Sequence, residues 1–289
     1  MIIIYTFSSH KYGIGRFKRS KVLFNLLKYR FKNVKLINIE KKLLSTEKVI
    51  SKCKYIIDLP YNADKFLNKV FKENINLILL DYYGNFTKGI HILIHDHYNN
   101  KSKKKYVGLK YAILNPNLQK SKTNKEGKKA NNEILIVIGG SDLKNQGFKL
   151  AKKIANYSYK VRLINGPLCK NTKIKDNNNL IIQNDPKNFY DILKQYNHII
   201  VSGGMTLIES LYLNISIFAV PQNIIERNFC KFLYSKKYIF SYDTNKLTKT
   251  NFKKFLEYRN SKNINFIGLE FIIKKLNDQI NQFKKNKNR

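Results

Sequence analysis

Short β-branched runs recur along the whole chain, and nearly every one is followed by a stretch whose apolar residues return at helical spacing. A strand that must cross over a helix before the next strand pairs in parallel, so this alternation points to βα units and excludes all-helical and antiparallel all-β folds. In the first half the expected strands are Ile2 to Phe7, Val34 to Ile39, Tyr55 to Leu59, Leu77 to Asp81 and His91 to Asp96. Phe17, Val22, Leu23, Leu26, Leu27 and Phe31 mark one face of a helix between the first two. The second half repeats the rhythm with strands at Ile134 to Ile138, Val161 to Asn165, Leu180 to Gln183, Ile199 to Ser202 and Ile217 to Val220. Its helices are expected near Gln146 to Asn156, Asn188 to Tyr196, Met205 to Leu213 and Ile225 to Ser235.

Between the halves, residues 118–132 are polar, lysine-rich and without periodicity, which reads as a linker. The chain thus divides into a domain over 1–117, that linker, a second domain over 133–250, and a closing helix or helix pair with a basic tail over 251–289. At 289 residues, two domains can each bury a core. The expected fold class is α/β, two doubly wound Rossmann-like domains in tandem with an interdomain cleft, because ligands of such sheets bind just beyond the strands' carboxyl ends.

Net charge is +36, a value that by itself suggests a nucleic-acid partner. Only seven of the 55 basic residues are Arg, however, and Asn and Ile are abundant, a composition that A/T-rich codons produce. Phosphate and base readers lean on the planar guanidinium fork, so the lysine excess does not imply a dedicated nucleic-acid surface. Basic faces of this kind are compatible with resting on an anionic membrane surface. Cys53, Cys169 and Cys230 are far apart with no CxxC pair, which supports neither a zinc site nor a disulfide framework. With no basic leader and no apolar run near 18 residues, the expected compartment is the cytoplasm.

Three strand-to-helix turns carry the chemistry. The first contains Gly13 and Gly15, followed at once by Arg16 and Arg19, which could clamp a pyrophosphate. The second, Gly139, Gly140, Ser141 and Asp142, opens the second half with backbone donors plus a helix cap. The third reads Gly203, Gly204, Met205, Thr206, with Glu209 one turn further in. A helix beginning this way can hold a diphosphate on its N–H groups and the Thr hydroxyl, with Glu209 placed to accept from ribose hydroxyls; the alternative for Glu209 is a solvated helix charge. Pro221, Gln222 and Asn223 form a polar turn after the following strand.

Taken together, YGIGRFKR, LLDYYGN, GLKYAILNP, IVIGGSDLKN and VSGGMTLIESLYLNISIFAVPQN resemble, in order and spacing, the GT-B nucleotide-sugar enzymes. The second half is similar to the C-terminal domain of glycosyltransferase family 28, and most of the chain to the UDP-sugar hydrolases of pseudaminic acid synthesis and related spore-coat polysaccharide proteins. The resemblance implies that the second domain holds uridine diphosphate through Gly139, Gly140, Asn145, Thr206 and Glu209. It further implies that the sugar faces Gly13, Gly15, Asp81 and Tyr83, that no cofactor or metal takes part, and that the pathway makes bacterial surface polysaccharide or nonulosonic acid. The hydrolase pattern Gly-x-Gly-His-x-x-Arg carries a water-activating His where this chain has Arg16, although Arg19 matches the final arginine. An arginine, with its pKa above about 12, is no base. His10 in the same loop, or His95, Asp96 and His97 after a later strand, are candidate replacements. Asn115 stands where the family has an arginine. The expected activity is cleavage of the anomeric bond to UDP, with transfer to water or an acceptor. The alternatives are a sugar-nucleotide-binding subunit without catalysis and a basic nucleic-acid-binding protein.

Overall fold

A computed structural model of the chain describes residues 1–8, 14–39, 53–71, 76–95, 100–119, 133–142, 144–169, 178–260 and 262–285. Two compact units emerge, one of Met1–Asn115 with Asn265–Arg289 and one of Pro116–Ile264. Each is built on a wholly parallel sheet.

In unit 1 the elements are β1 (Ile2–Thr6), α1 (Gly15–Arg30), β2 (Val34–Asn38), β3 (Lys54–Asp58), α2 (Asp64–Val70), β4 (Leu77–Leu80), β5 (Ile90–Leu93) and β6 (Lys105–Val107). The sheet order is β2-β1-β3-β4-β5-β6. Strands β1, β3 and β4 are buried along their whole length, which is why they read as continuous apolar runs, whereas the edge strand β2 alternates in exposure. One face of the sheet packs Ile2, Ile4, Ile56 and Ile78 against Leu23 and Leu27 of α1, and the other packs Tyr5, Tyr55, Phe66 and Phe71.

In unit 2 the elements are α3 (Pro116–Gln119), β7 (Glu133–Val137), α4 (Gln146–Ala155), β8 (Lys160–Asn165), β9 (Leu180–Asn184), α5 (Phe189–Lys194), β10 (His198–Val201), α6 (Met205–Tyr212), β11 (Ser216–Ala219), α7 (Ile224–Ser235) and α8 (Lys249–Glu257). The order β11-β10-β7-β8-β9 is the doubly wound one, with its crossover between β7 and β10. In unit 1 the crossover falls between β1 and β3. In a doubly wound sheet the point of reversal leaves a crevice at the carboxyl ends of that sheet's own strands, where a ligand can be received.

The expected strands and helices form within a residue or two of their sequence-read bounds, except that the strand read to Asp96 ends at Leu93, and both halves are α/β with parallel sheets. Strand β6 was not anticipated. Its three residues Lys-Tyr-Val are short, charged and at the sheet edge, so they carry no apolar run. The segment read as a linker begins in the ordered α3, where Leu118 is fully buried; residues 120–132 lie outside the described ones. The closing helices divide between the units. Phe252 and Phe255 of α8 join the core of unit 2, while Ile272, Ile273 and Leu276 of α9 (Gly268–Lys285) join that of unit 1. Gly268 starts α9 against the backbone of Tyr111 and Ala112, where any Cβ would clash.

Candidate functional site

At the crossover of unit 2, three strand-to-helix turns converge. A Cβ on Gly139, after β7, would sit 3.2 Å from the hydroxyl of Ser202, after β10, so the two glycine turns lie side by side. Gln222, after β11, donates its side-chain amide to Gln146 at the start of α4 (2.7 Å) and to the Val220 carbonyl (2.9 Å). Sequence spacing anticipated these turns; Gly166 was missed. It lies after β8, with a Cβ position 2.4 Å from the Gly139 carbonyl, so only glycine lets that loop back up the first turn.

The helix starts at this edge differ in what caps them. At α4, the Asp142 carboxylate accepts from Gln146 N (2.8 Å) and Gly147 N (2.7 Å), filling the position an external anion would take. Asp142 and Asn145 both adopt positive φ, +27° and +49°, to shape this turn. At α7, Asn223 accepts from Glu226 N at 2.9 Å, and the Glu226 carboxylate turns back onto Gln222 N (2.8 Å) and Gly203 N (3.0 Å). Asn223 thus caps α7, and Glu226 ties the turn before α7 to the turn before α6. Glu226 was missed, although Asn-x-x-Glu was legible. Burial raises its pKa, opposed by the N–H groups of Gln222 and Gly203 and by the Asn223 side chain.

Helix α6 is capped by no side chain among the described residues. Gly204, in extended geometry, is its N-cap, and no acidic residue lies in its first turn; the Glu226 carboxylate stops one residue ahead, on Gly203 N. The N–H groups of Met205 and Thr206 therefore carry the partial positive charge of the helix start without a side-chain acceptor of their own. The two glycines ahead of it have different reasons. Gly203 is required by packing, since a Cβ would stand 2.7 Å from Glu226 Cβ, whereas a Cβ on Gly204 would meet only the Ser202 hydroxyl at 3.8 Å. Packing therefore does not demand glycine at Gly204. Met205 and Thr206 follow in the first turn, half-buried. Glu209 is not a solvated helix charge. It is 7% exposed, and its Oε1 accepts from the hydroxyl of Tyr190 on α5 at 3.0 Å.

At the crossover of unit 1, the polar groups spend themselves on one another. Arg19 of α1 donates from Nε to Asp58 Oδ2 (2.9 Å) and from Nη2 to Asp58 Oδ1 (2.6 Å), while its Nη1 engages Asp81. Burial disfavours the charge on Arg19, but Asp58 first and Asp81 next raise its pKa above the ordinary arginine value. Ser20 donates to Asp58 at 3.0 Å, and Arg16 donates to it at 3.2 Å. Asp81, with φ +44°, also accepts from Ile94 N at 2.8 Å and from the Tyr83 hydroxyl at 3.3 Å. Burial and Asp81 push the Tyr83 pKa up, against Arg16 and Arg19. Thr6, paired in register with Asp58, is fully buried with its hydroxyl unpartnered among the described residues.

The arginine read as a pyrophosphate clamp, Arg19, is thus a buried structural cation, and Asp81 is one of its two counter-charges. Asp58, at the end of β3, holds the cluster together and was missed, although it ends a buried strand as Asp81 does. Arg16 keeps the more open edge, with 21% of its side chain exposed. Gly15 is exposed and would have no neighbour within 4 Å of a Cβ, so the fold does not require glycine there either. His95 is half-buried two residues beyond β5; His10, Gly13, Asp96 and His97 lie outside the described residues. Among the described residues no group of three or more His, Cys, Asp or Glu is placed to hold a metal ion, and no helix is long and apolar enough to cross a membrane.

No family model matches the chain. A curated relative, Uncharacterized protein MJ1062 of Methanocaldococcus jannaschii, is 29% identical over 151 residues, 46% of this chain. The match spans only 30% of that protein's length. Among solved structures, the chain is similar to the glycotransferase of kitacinnamycin, with a TM-score of 0.58 at 11% identity, covering 96% of this chain and 94% of that one. Acinetobacter baumannii MurG gives a TM-score of 0.53 at 11% identity, over 89% and 90% of the two chains. The UDP-GlcNAc 2-epimerase of Methanocaldococcus jannaschii gives 0.51 at 11% identity, over 94% and 98%. At these identities the likeness shows the fold, which is that of the GT-B enzymes.

Proposed function

We propose that the chain processes a nucleotide-sugar, with the diphosphate of a UDP-sugar bound on the N-terminus of α6. The observation that carries this reading is the contrast among helix starts at the unit 2 crossover. The Asp142 carboxylate occupies the start of α4 and the Asn223 side chain that of α7, whereas the first-turn N–H groups of Met205 and Thr206 in α6 meet no side-chain cap among the described residues, Glu226 reaching Gly203 N just ahead of them. An uncapped helix start behind a glycine that packing does not demand is suited to a phosphate. Glu209, buried one turn along, is an acceptor-only group suited to ribose hydroxyls. The structural neighbours support the same reading: one is a UDP-GlcNAc 2-epimerase, and another a glycotransferase.

Cleavage of the anomeric bond leaves negative charge on the departing diphosphate, which the α6 start stabilises. In unit 1, Arg16 is anchored to Asp58 and acts as a fixed cation rather than a base, which favours sugar transfer to an acceptor over the water activation of the pseudaminic-pathway hydrolases. The same observation supports one other reading, a sugar-nucleotide-binding subunit without turnover. A thermal-stability screen of UDP-, GDP- and CMP-sugars, with product analysis on each hit, tests both. Stabilisation by a UDP-sugar with release of UDP is the expected result, stabilisation without UDP release supports the binding subunit, and no stabilisation by any nucleotide-sugar refutes the proposal.

A further inference from the structure

Helix α6 is buried all round from Leu207 to Leu211, a poor place for an acid. Leu207, Ile208 and Leu211 share one face, and Glu209 lies on the opposite one, in line with Met205 and Thr206 of the first turn. The hydroxyl that meets it comes from a different element, Tyr190 in the first turn of α5. That turn follows β9 through Asp185, whose φ is +39°, and the Tyr190 ring is set edge-on to Phe189 at 5.3 Å between centroids. The hydroxyl is thus carried by a ring with its own packing contact, and reaches across to α6.

The terminal torsion of a glutamate is broad and nearly two-fold, so an unrestrained carboxylate presents its oxygens in many directions. A 3.0 Å bond from Tyr190 to Oε1 fixes the plane of the group before any ligand arrives. Glu209 lies four residues beyond Met205, roughly 6 Å along the helix at 1.5 Å per residue. A nucleoside diphosphate with its phosphates on the first N–H groups of α6 brings its ribose hydroxyls to a comparable distance from them. Two neighbouring hydroxyls are donors, and an oriented carboxylate is their complement.

We infer that Tyr190 is a positioning residue that orients Glu209 toward the 2′,3′-diol of a ribonucleotide, and so makes the unit 2 site select ribonucleoside over deoxyribonucleoside diphosphates. This inference rests on the nucleotide reading of α6 given above. The role assigned to Tyr190 is exerted through Glu209. A purely structural tie between α5 and α6 would instead affect every ligand equally.

The test is calorimetric titration of wild type, Tyr190→Phe and Glu209→Gln with UDP, 2′-deoxy-UDP and 2′,3′-dideoxy-UDP. Wild type is expected to prefer UDP to the dideoxy compound by about tenfold or more, as charge-assisted hydrogen bonds allow. Tyr190→Phe keeps the ring and its contact with Phe189. It is expected to weaken UDP several-fold while leaving dideoxy-UDP unchanged, and that unchanged affinity also certifies its fold. Glu209→Gln is expected to lose most of the preference. Equal weakening of all three ligands by Tyr190→Phe, or a preference kept at its wild-type value, overturns the inference while leaving the nucleotide site standing. Failure of wild type to bind UDP, or to distinguish it from the dideoxy compound, overturns the reading of α6 and Glu209 and this inference with it.

Discussion

At the crossover of unit 1 the charged groups neutralise one another, Arg19 of α1 lying between Asp58 and Asp81, while at the crossover of unit 2 the start of α6 has neither a side-chain cap nor a cation of its own helix beside it. Both edges sit at the same topological place in their sheets, and α1 too starts without a side-chain cap. The difference teaches that a doubly wound sheet supplies a place for a ligand, but the side chains around each helix start decide what is left there to bind one. In unit 1 the buried salt-bridge cluster consumes polar groups that the sequence offers as ligands, leaving Arg16 as the cation at the rim. In unit 2, Asp142 fills the start of α4, Asn223 caps α7, and Glu226 ties the turn before α7 to the turn before α6, leaving the first-turn N–H groups of α6 without a side-chain cap among the described residues.

The sharpest way to break the comparison is to remove Asp58. Asp58→Ala leaves Arg19 with Asp81 alone in a buried setting, and a loss of about 3–5 kcal/mol in urea unfolding is expected. A loss below about 1 kcal/mol would mean that the cluster does not hold unit 1 together. Next is Gly166→Ala, which drives a methyl into the backbone of the Gly139–Gly140 turn. About 1–3 kcal/mol of destabilisation is expected from overpacking, accompanied by weaker nucleotide binding because that turn adjoins Ser202. Thr206→Val is milder. It keeps the shape of α6 and removes one hydroxyl, so UDP affinity is expected to fall about fivefold, near 1 kcal/mol, with thermal stability unchanged.

A separate effect, seen only in acid, distinguishes the carboxyl edge of unit 2 from its amino edge. His198, at the start of β10, is buried beside Arg259, and burial followed by that charge lowers its pKa from 6.5 to about 4. The unfolded chain therefore takes up the proton first as pH falls. Stability is expected to be level above about 7 and to decline between 6.5 and about 4. His198→Gln should flatten that part of a melting-temperature-against-pH profile, and an unchanged slope would assign the acid sensitivity elsewhere.

Much of the fold was legible because buried parallel strands are continuous apolar runs: Ile199 to Val201 and Ile217 to Ala219 could hardly be anything else. Strand β6 was not legible, since three residues at an edge have no pattern to show. The glycine turns were legible as positions but not as roles. Asp142 next to Gly139 and Gly140 reads equally as cap or ligand partner until Gln146 N and Gly147 N are seen on its carboxylate. Arg19 lies on the inward face of α1 with Leu23 and Leu27, a spacing that already hinted at burial, but its partners Asp58 and Asp81 lie 39 and 62 residues away. Tyr190 gave no signal at all, because its meeting with Glu209 depends on how α5 and α6 lie over the sheet.

The central claim, that the uncapped start of α6 is the nucleotide site, is tested most directly by hydrogen–deuterium exchange of the full chain with and without saturating UDP. The account predicts that protection on binding concentrates in the peptide covering Gly203 to Glu209, with the Asp142-capped start of α4 little changed. Protection at the α4 start or over α1, with none at Gly203 to Glu209, would contradict it.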